Sequence, residues 1–218
     1  MDFLQITVKL LEGFLYTLAI FGITLATAIP LGLVVAFGSM SKFKPLSALA
    51  RGLVWVVRGT PLMLQIIVFA YGPGLWLGIP IRSLSQQILM VCIAFTINYA
   101  CYFSEIYRGG IESIAKGQYE AGQVLGMTRS QIFFKVVLLQ VTKRIIAPMS
   151  NEIITLVKDT ALASVVVHID LFTVAKQIVN KEVILWPLFY AGLFYLIFNG
   201  ILTVLFGKLE KKLDYFKA

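Results

Sequence analysis

Asn151-Glu152-Ile153-Ile154-Thr155-Leu156-Val157-Lys158-Asp159 is the stretch that decides how this chain is built. It carries two acids and a lysine, too much charge for a plain apolar span. Wound as a helix at roughly 100° per residue with Asn151 at zero, Glu152 falls near 100°, Thr155 near 40°, Lys158 near −20° and Asp159 near 80°. The five polar side chains then share an arc of roughly 120°, and Ile153, Ile154, Leu156 and Val157 take the rest of the circle. Such a helix can cross a membrane when its stripe faces protein or water and its other faces meet lipid.

The surrounding composition supports a lipid solvent. Of 218 residues, 59% are hydrophobic and 14% charged, and the mean hydropathy is +0.86. A soluble domain is about a quarter charged, so a disordered chain and a soluble enzyme are both excluded. Four runs carry no charge: Gly13 to Ser41, Gly59 to Ile81, Ser83 to Ser104 and Val183 to Gly207, of 29, 23, 22 and 25 residues. Each is long enough to cross the hydrocarbon, which takes about 20 residues of helix. The first is no cleavable signal, because Asp2, Lys9 and Glu12 replace a basic leader and the apolar run is too long. Cys92 and Cys101 lie nine positions apart, on opposite faces of one helix, which speaks against a disulfide or a metal pair. No metal-ligand cluster is present, so no metal site is expected.

Charge distribution sets the sidedness. Lys42 to Arg58 holds four basic residues and no acid, which places it in the cytoplasm. The turn Gly72 to Arg82 then lies outside. Arg108, Lys116, Arg129 and Lys135 return the chain inside, as do Lys208, Lys211, Lys212 and Lys217 in the tail. Four crossings cannot put that tail inside, so a fifth is required between Ser130 and Asp170, and the striped helix supplies it. The expected fold is an all-α integral membrane bundle of five transmembrane helices, residues 1–218 forming a single domain, with the N-terminus outside and the C-terminus cytoplasmic. The net charge of +8 is then a positive-inside bias, with twelve basic residues inside against four outside (Lys9, Arg82, Lys176 and Lys181) and no need of nucleic acid.

The longest cytoplasmic connection, about 109–131, has its own pattern. Lys116 to Leu125 suits a short helix, Gly126 a helix stop, and Thr128 with Gln131 the cap of a new helix. An elbow of this kind presents a partly apolar knob, or is an ordinary interhelical loop. Glu105 and Arg108 are three apart on one helix face and are expected to pair at the membrane edge. Pro61 suits a first helical turn and Gly59 the bend before it. His168 with Asp170 near the outer interface is read as structural rather than catalytic.

The elbow residues Glu120-Ala121-Gly122, followed by Gly126, resemble the EAA signature of bacterial ABC importer permeases. Val57-Arg58-Gly59-Thr60-Pro61-Leu62 with Gln65 is similar to the Arg-Gly-Thr-Pro segment of the polar amino acid importers. So are Tyr102 to Ile111 leading into Gly117-Gln118, and Asn151-Glu152 with Lys158-Asp159-Thr160. Four motifs in register from Val57 to Val166 make the resemblance specific. Two positions depart from it: Gly122 replaces alanine, and Leu139 stands where a proline is usual, which suggests a straighter helix start.

The resemblance implies a type I ABC importer permease of the bacterial inner (cell) membrane, a transport subunit and not an enzyme. Glu120, Ala121, Gly122 and Gly126 would dock a cytoplasmic ATP-binding subunit. ATP and Mg would be bound there, with no cofactor in this chain, which has no Gly-x-x-x-x-Gly-Lys-Ser/Thr loop. A second permease, the same or related, and an extracytoplasmic substrate-binding protein complete the expected assembly. Arg58, Gly59, Thr60, Pro61, Glu105 and Arg108 are family-motif positions with structural roles. Asn98, Glu152, Thr155, Lys158 and Asp159 are the candidate substrate path: Glu152 toward an amino acid's ammonium and Lys158 toward its carboxylate. Alternatively Lys158 forms a structural pair with Asp159 or Glu152, and Asn98 a helix–helix hydrogen bond. The competing function is an ATP-independent secondary transporter or channel using Glu152, Lys158 and Asp159, but inverted repeats are absent.

Overall fold

Small side chains determine how the longest helix packs. The structure, a computed structural model, describes residues 1–213. Along α1 (Phe3–Ser39), Gly13, Thr17, Thr24, Ala28, Gly32, Ala36 and Ser39 are all buried, one per turn or two. This stripe lets α1 lie close against α4 (Leu84–Glu112), as small residues do where helices meet in lipid. At the crossing a Cβ on Gly32 would sit 2.8 Å from the Phe103 Cβ and 3.0 Å from the Ala100 carbonyl oxygen. The Thr27 and Thr96 hydroxyls hydrogen-bond across the same pair at 2.7 Å.

Between these helices the chain forms α2 (Lys44–Arg58) and α3 (Leu62–Leu77), bent by 105° at the intervening residues. Lys42 to Arg58, expected as a cytoplasmic connection, is therefore mostly helix. Val54 and Val57 of α2 pack on Cys101, with Val35 of α1 and Ile97 of α4 around them. Its basic residues lie on other faces, so the charge count hid an apolar seam. α3 alone is 16 residues, roughly 24 Å at 1.5 Å per residue, short of a hydrocarbon core of about 30 Å. The expected outer turn from Gly72 starts later, because α3 continues through Pro73 to Leu77 and stops at Gly78, whose φ of 67° suits glycine.

The second half opens with α5 (Lys116–Val124) and α6 (Arg129–Ile132). A π-helical turn (Phe133–Val137) then leads into α7 (Leu138–Asp159), so the helix start is offset rather than straight. A 3₁₀ turn (Thr160–Val165), α8 (Leu171–Glu182) and α9 (Trp186–Leu213) follow. The sequence reading did not separate α8. Its start is capped by buried Asp170, which accepts from the Phe172 and Thr173 amides at 3.1 and 3.2 Å and the Thr173 hydroxyl at 2.6 Å. Burial pushes that carboxyl above its ordinary range, against those hydrogen bonds. His168 is exposed and plays no part in the cap.

Among the described residues three helices, α1, α4 and α9, are long and apolar enough to cross a membrane, and the α2–α3 pair makes four if counted as one span. α7 falls short by composition, because its polar stripe dilutes the apolar faces. The core gathers Ile20, Phe21 and Ala28 of α1, Phe95, Tyr99 and Phe103 of α4, and Leu156 and Val157 of α7. Outward faces are apolar too: Leu15, Val34, Phe189 and Leu196 are all exposed, as lipid contact requires. Gly32→Leu should force α1 and α4 apart at a cost of about 1–3 kcal/mol, read as a lower Tm of the detergent-solubilised protein. Gly22→Leu, where a Cβ meets nothing within 4 Å, should leave the Tm unchanged.

Candidate functional site: a broken span and a cytoplasmic elbow

The break between α2 and α3 leaves carbonyls without helical partners, and one side chain takes them up. The Gln65 amide nitrogen donates to the Val57 carbonyl at 2.8 Å, the Thr60 carbonyl at 3.1 Å and the Thr60 hydroxyl oxygen at 2.8 Å. The Gln65 oxygen accepts from the Asn98 amide of α4 at 3.0 Å. Thr60 donates its own hydroxyl to the Val56 carbonyl at 2.9 Å. A Cβ on Gly59 would approach the Trp55 carbonyl oxygen to 2.9 Å, so glycine permits the turn. Pro61 stands just before α3 with φ −63° and gives its carbonyl to the Leu64 and Gln65 amides. Asn98 is thus buried and engaged in the helix–helix hydrogen bond.

Arg58, the last residue of α2, reaches into the space beside this break. Its guanidinium lies 5.0 Å from the centre of the Tyr102 ring and 3.7 Å from Glu105. It is also an electrostatic neighbour of Glu152 on α7. The levels agree: Arg144 of α7 hydrogen-bonds the Ser113 carbonyl at the end of α4. Glu105 and Glu152 are each eight residues beyond that contact, about 12 Å along their helices. Farther on, Asp159 accepts from the buried Tyr99 hydroxyl at 2.7 Å. Lys158 is exposed and has no carboxylate within 4 Å among the described residues. The alternative of a pair with Asp159 or Glu152 is therefore not formed within this chain. Thr155 returns its hydroxyl to the Asn151 carbonyl at 2.9 Å.

Glu105 and Arg108 form the expected pair, with Arg108 bidentate to Glu105 at 3.0 and 2.6 Å and reaching Glu112 at 2.7 Å. With Arg51, Arg58 and Trp55 these side chains line a cavity of about 640 Å³ below the break. Among the described residues no group of three metal-ligating side chains is found. Cys92 and Cys101 are free and buried.

The elbow folds as its residues dictate. Gly126 takes φ 73°, and the Met127 amide closes back on the Gly122 carbonyl at 3.0 Å. Thr128 caps α6 through Gln131, each side chain serving the other's backbone amide, at 3.3 and 2.8 Å. Gly122 is buried against Ile132: an alanine Cβ there would lie 2.6 Å from the Ile132 Cγ1. That explains the departure from alanine and turns Gly122 inward, away from any docking face. Glu120 and Ala121 are exposed. So are Val124 and Leu125, at 88% and 78%, two apolar side chains that motif reading passed over.

Residues 28–215 match the family described as binding-protein-dependent transport system inner membrane component. The chain belongs to this family. It is a multi-pass membrane permease subunit, a transport component and not an enzyme. The permease is 34% identical over 94% of its length to 87% of the L-cystine transport system permease protein of Bacillus subtilis (strain 168). It is 35% identical to the arginine transport system permease protein of the same organism, covering 94% and 92% of the two chains. A probable glutamine ABC transporter permease protein, also from Bacillus subtilis (strain 168), is 32% identical, with 94% and 93% covered. The crystal structure of an amino acid ABC transporter with histidines superposes with a TM-score of 0.86 at 28% identity, over 97% of this chain and 99% of that one. An inward-facing methionine ABC transporter shares the fold at a TM-score of 0.75 and 17% identity, over 98% and 100%.

The structure thus brings Arg58, Tyr102 and Glu105 to one place, at the level of Glu152 on α7. The sequence reading had treated Arg58 as structural only. Its signal was a lone arginine beside a Gly-Thr-Pro break, the kind of interrupted span that lines sites in transporters. Replacing Gln65 by leucine should strand the Val57 and Thr60 carbonyls and the Asn98 amide. The expected loss is about 1–3 kcal/mol, measured as a fall in the thermal midpoint of the purified permease.

Proposed function

We propose that the permease forms the translocation path of an ATP-driven importer for a polar amino acid in the bacterial inner membrane. The feature that carries this reading is the break, where Arg58 meets Tyr102 and Glu105 at the level of Glu152 on α7. An α-amino acid presents a carboxylate and an ammonium, and the pair suits both: Arg58 for the first, Glu152 for the second. Asp159 and Tyr99 extend the polar surface outward, with Thr155 and Lys158 on the same helix. Asn98 acts behind this surface, holding the break through Gln65. The relatives named for cystine, glutamine and arginine handle molecules that share these two ends and differ in side chain. A site aimed at the common ends fits that range.

The proposed topology has five crossings: α1, the α2–α3 pair, α4, α7 and α9. α1 and α9 run in the same direction, since Phe14 meets Phe194 and Phe21 meets Phe198. With Lys208, Lys211 and Lys212 ending α9 on the cytoplasmic side, α1 begins outside. Lys217 lies outside the described residues. This direction puts the elbow in the cytoplasm. There Glu120, Ala121, Val124, Leu125 and Gly126 would dock an ATP-binding subunit, which holds the ATP and Mg. Two permeases, identical or related, enclose the path, and an extracytoplasmic binding protein delivers the substrate. The ABC and binding-protein-dependent relatives leave an ATP-independent carrier without support.

Two substitutions separate the parts. Glu120→Lys should eliminate co-purification of the ATP-binding subunit from native membranes, without affecting folding of the permease; retention of that subunit would refute the elbow's role. Glu152→Gln should leave the assembly intact and abolish substrate-stimulated ATP hydrolysis. Wild-type stimulation in that variant would remove Glu152 from the path.

A further inference from the structure

α2 repeats its cations every seven residues: Lys44, Arg51 and Arg58 are all exposed, and residues 42–58 hold no acid. Wound at roughly 100° per residue with Arg51 at zero, Lys44 falls at about 20° and Arg58 at about −20°, so the three form one stripe. One flank of the stripe is closed, since Val54 and Val57 are buried against Cys101. The other flank is open. It runs from Trp55 at about 40° to Gly52 at about 100°, then to Val56 and Leu49 at about 140° and 160°. A Cβ on Gly52 would meet nothing within 4 Å, and Trp55, Val56 and Leu49 are 78%, 51% and 73% exposed. The central cation lacks a counter-ion. Arg51 donates its Nε to the Ser39 carbonyl at the end of α1, at 3.1 Å. It has no carboxylate within 4 Å among the described residues. Glu105 and Glu112, which line the same cavity, are both held by Arg108, and Arg58 is engaged by Tyr102 and Glu105.

Resting on the topology above, which puts the end of α1 at the cytoplasmic face, we propose that α2 binds an anionic phospholipid of the cytoplasmic leaflet. The phosphate lies on the terminal nitrogens of Arg51, a fork that matches its oxygens. Lys44, one rung nearer the cytoplasm, adds attraction. The glycerol backbone crosses the gap at Gly52 beside Trp55, and an acyl chain lies along Val56 and Leu49. Indole rings belong at headgroup level, and basic pockets between helices on the cytoplasmic side suit anionic headgroups. A soluble phosphate would need only the cations. The exposed apolar surface that continues from them favours a lipid. Arg58 keeps Tyr102 and Glu105, so lipid and substrate do not share a guanidinium. The bound lipid pins α2, one arm of the break, to the leaflet.

The test uses the complete importer, purified with its ATP-binding subunit in neutral detergent. Dioleoyl phosphatidylglycerol, dioleoyl phosphatidylcholine and inorganic phosphate are titrated separately, and the Tm is read. Phosphatidylglycerol should raise the wild-type Tm. Phosphatidylcholine, whose choline offsets the phosphate, and inorganic phosphate should not. Arg51→Gln and Gly52→Leu should each raise the half-effective phosphatidylglycerol concentration about tenfold. Arg51→Gln also loses the Ser39 contact and starts from a lower Tm. Gly52→Leu should keep the wild-type starting value, and so tests the site even if Arg51→Gln folds poorly. A wild type indifferent to phosphatidylglycerol, as when the second permease covers this face, would overturn the proposal. So would a Gly52→Leu variant that responds like wild type. Inorganic phosphate as effective as phosphatidylglycerol would reassign Arg51 to a free anion and overturn the lipid. The topology is tested apart, with Lys42→Cys in right-side-out membrane vesicles. Labelling there by a membrane-impermeant maleimide would put this end of α2 outside and overturn the sidedness, whatever the lipid result.

Discussion

A helix that breaks leaves carbonyls in need of partners, and between α2 and α3 Gln65 takes up those of Val57 and Thr60. Lipid offers no hydrogen bonds, so irregular backbone persists only where protein or a water-lined cavity receives it. One amide spans three acceptors on the α2 side of the break and anchors its oxygen to Asn98 of α4. The rest follows from that staple. It holds the 105° bend that follows Arg58, the last residue of α2.

The same arrangement joins two functions through a single helix. α4 runs from Tyr99, held to Asp159, through Tyr102 and Glu105 beside Arg58, to Glu112 and the approach to the elbow. Its cytoplasmic half is cross-tied by Arg108, a short charge-assisted network stiffer than isolated surface pairs. Packing of Gly110 against Ile145 of α7 closes the opposite side. Arg58 and the elbow are thus joined by one continuous helix.

Local chemistry was legible in the sequence; spatial neighbours were not. The polar arc at Asn151–Asp159, the stop at Gly126, the Thr128 cap and the Glu105–Arg108 pair all depend on residues within one or two turns, and all are present. α2 was read as a connection because four basic residues outweighed the Val54 and Val57 seam, which only a helical phase reveals. α8 was missed because its apolar residues face α1 and α9, a burial with no long hydrophobic run to announce it. The proximity of Arg58 to Glu152 spans more than ninety positions and depends on the bend, so no motif could contain it. Gly122 looked like a lapse from the family pattern until Ile132 filled the space of the missing methyl.

The wide turn at Phe133–Val137 has an evolutionary consequence. A π turn holds one residue more than the α-helical path it replaces. Deleting any single residue from it would restore an uninterrupted α-helical path. It would also rotate everything before the deletion by about 100° relative to everything after it. The elbow would then turn a different side outward while Glu152 stayed in place. Single-residue deletions here should be purged by selection more strongly than most point substitutions, because they scramble phase across the buried cluster of Ile114, Ile132, Val137 and Val141.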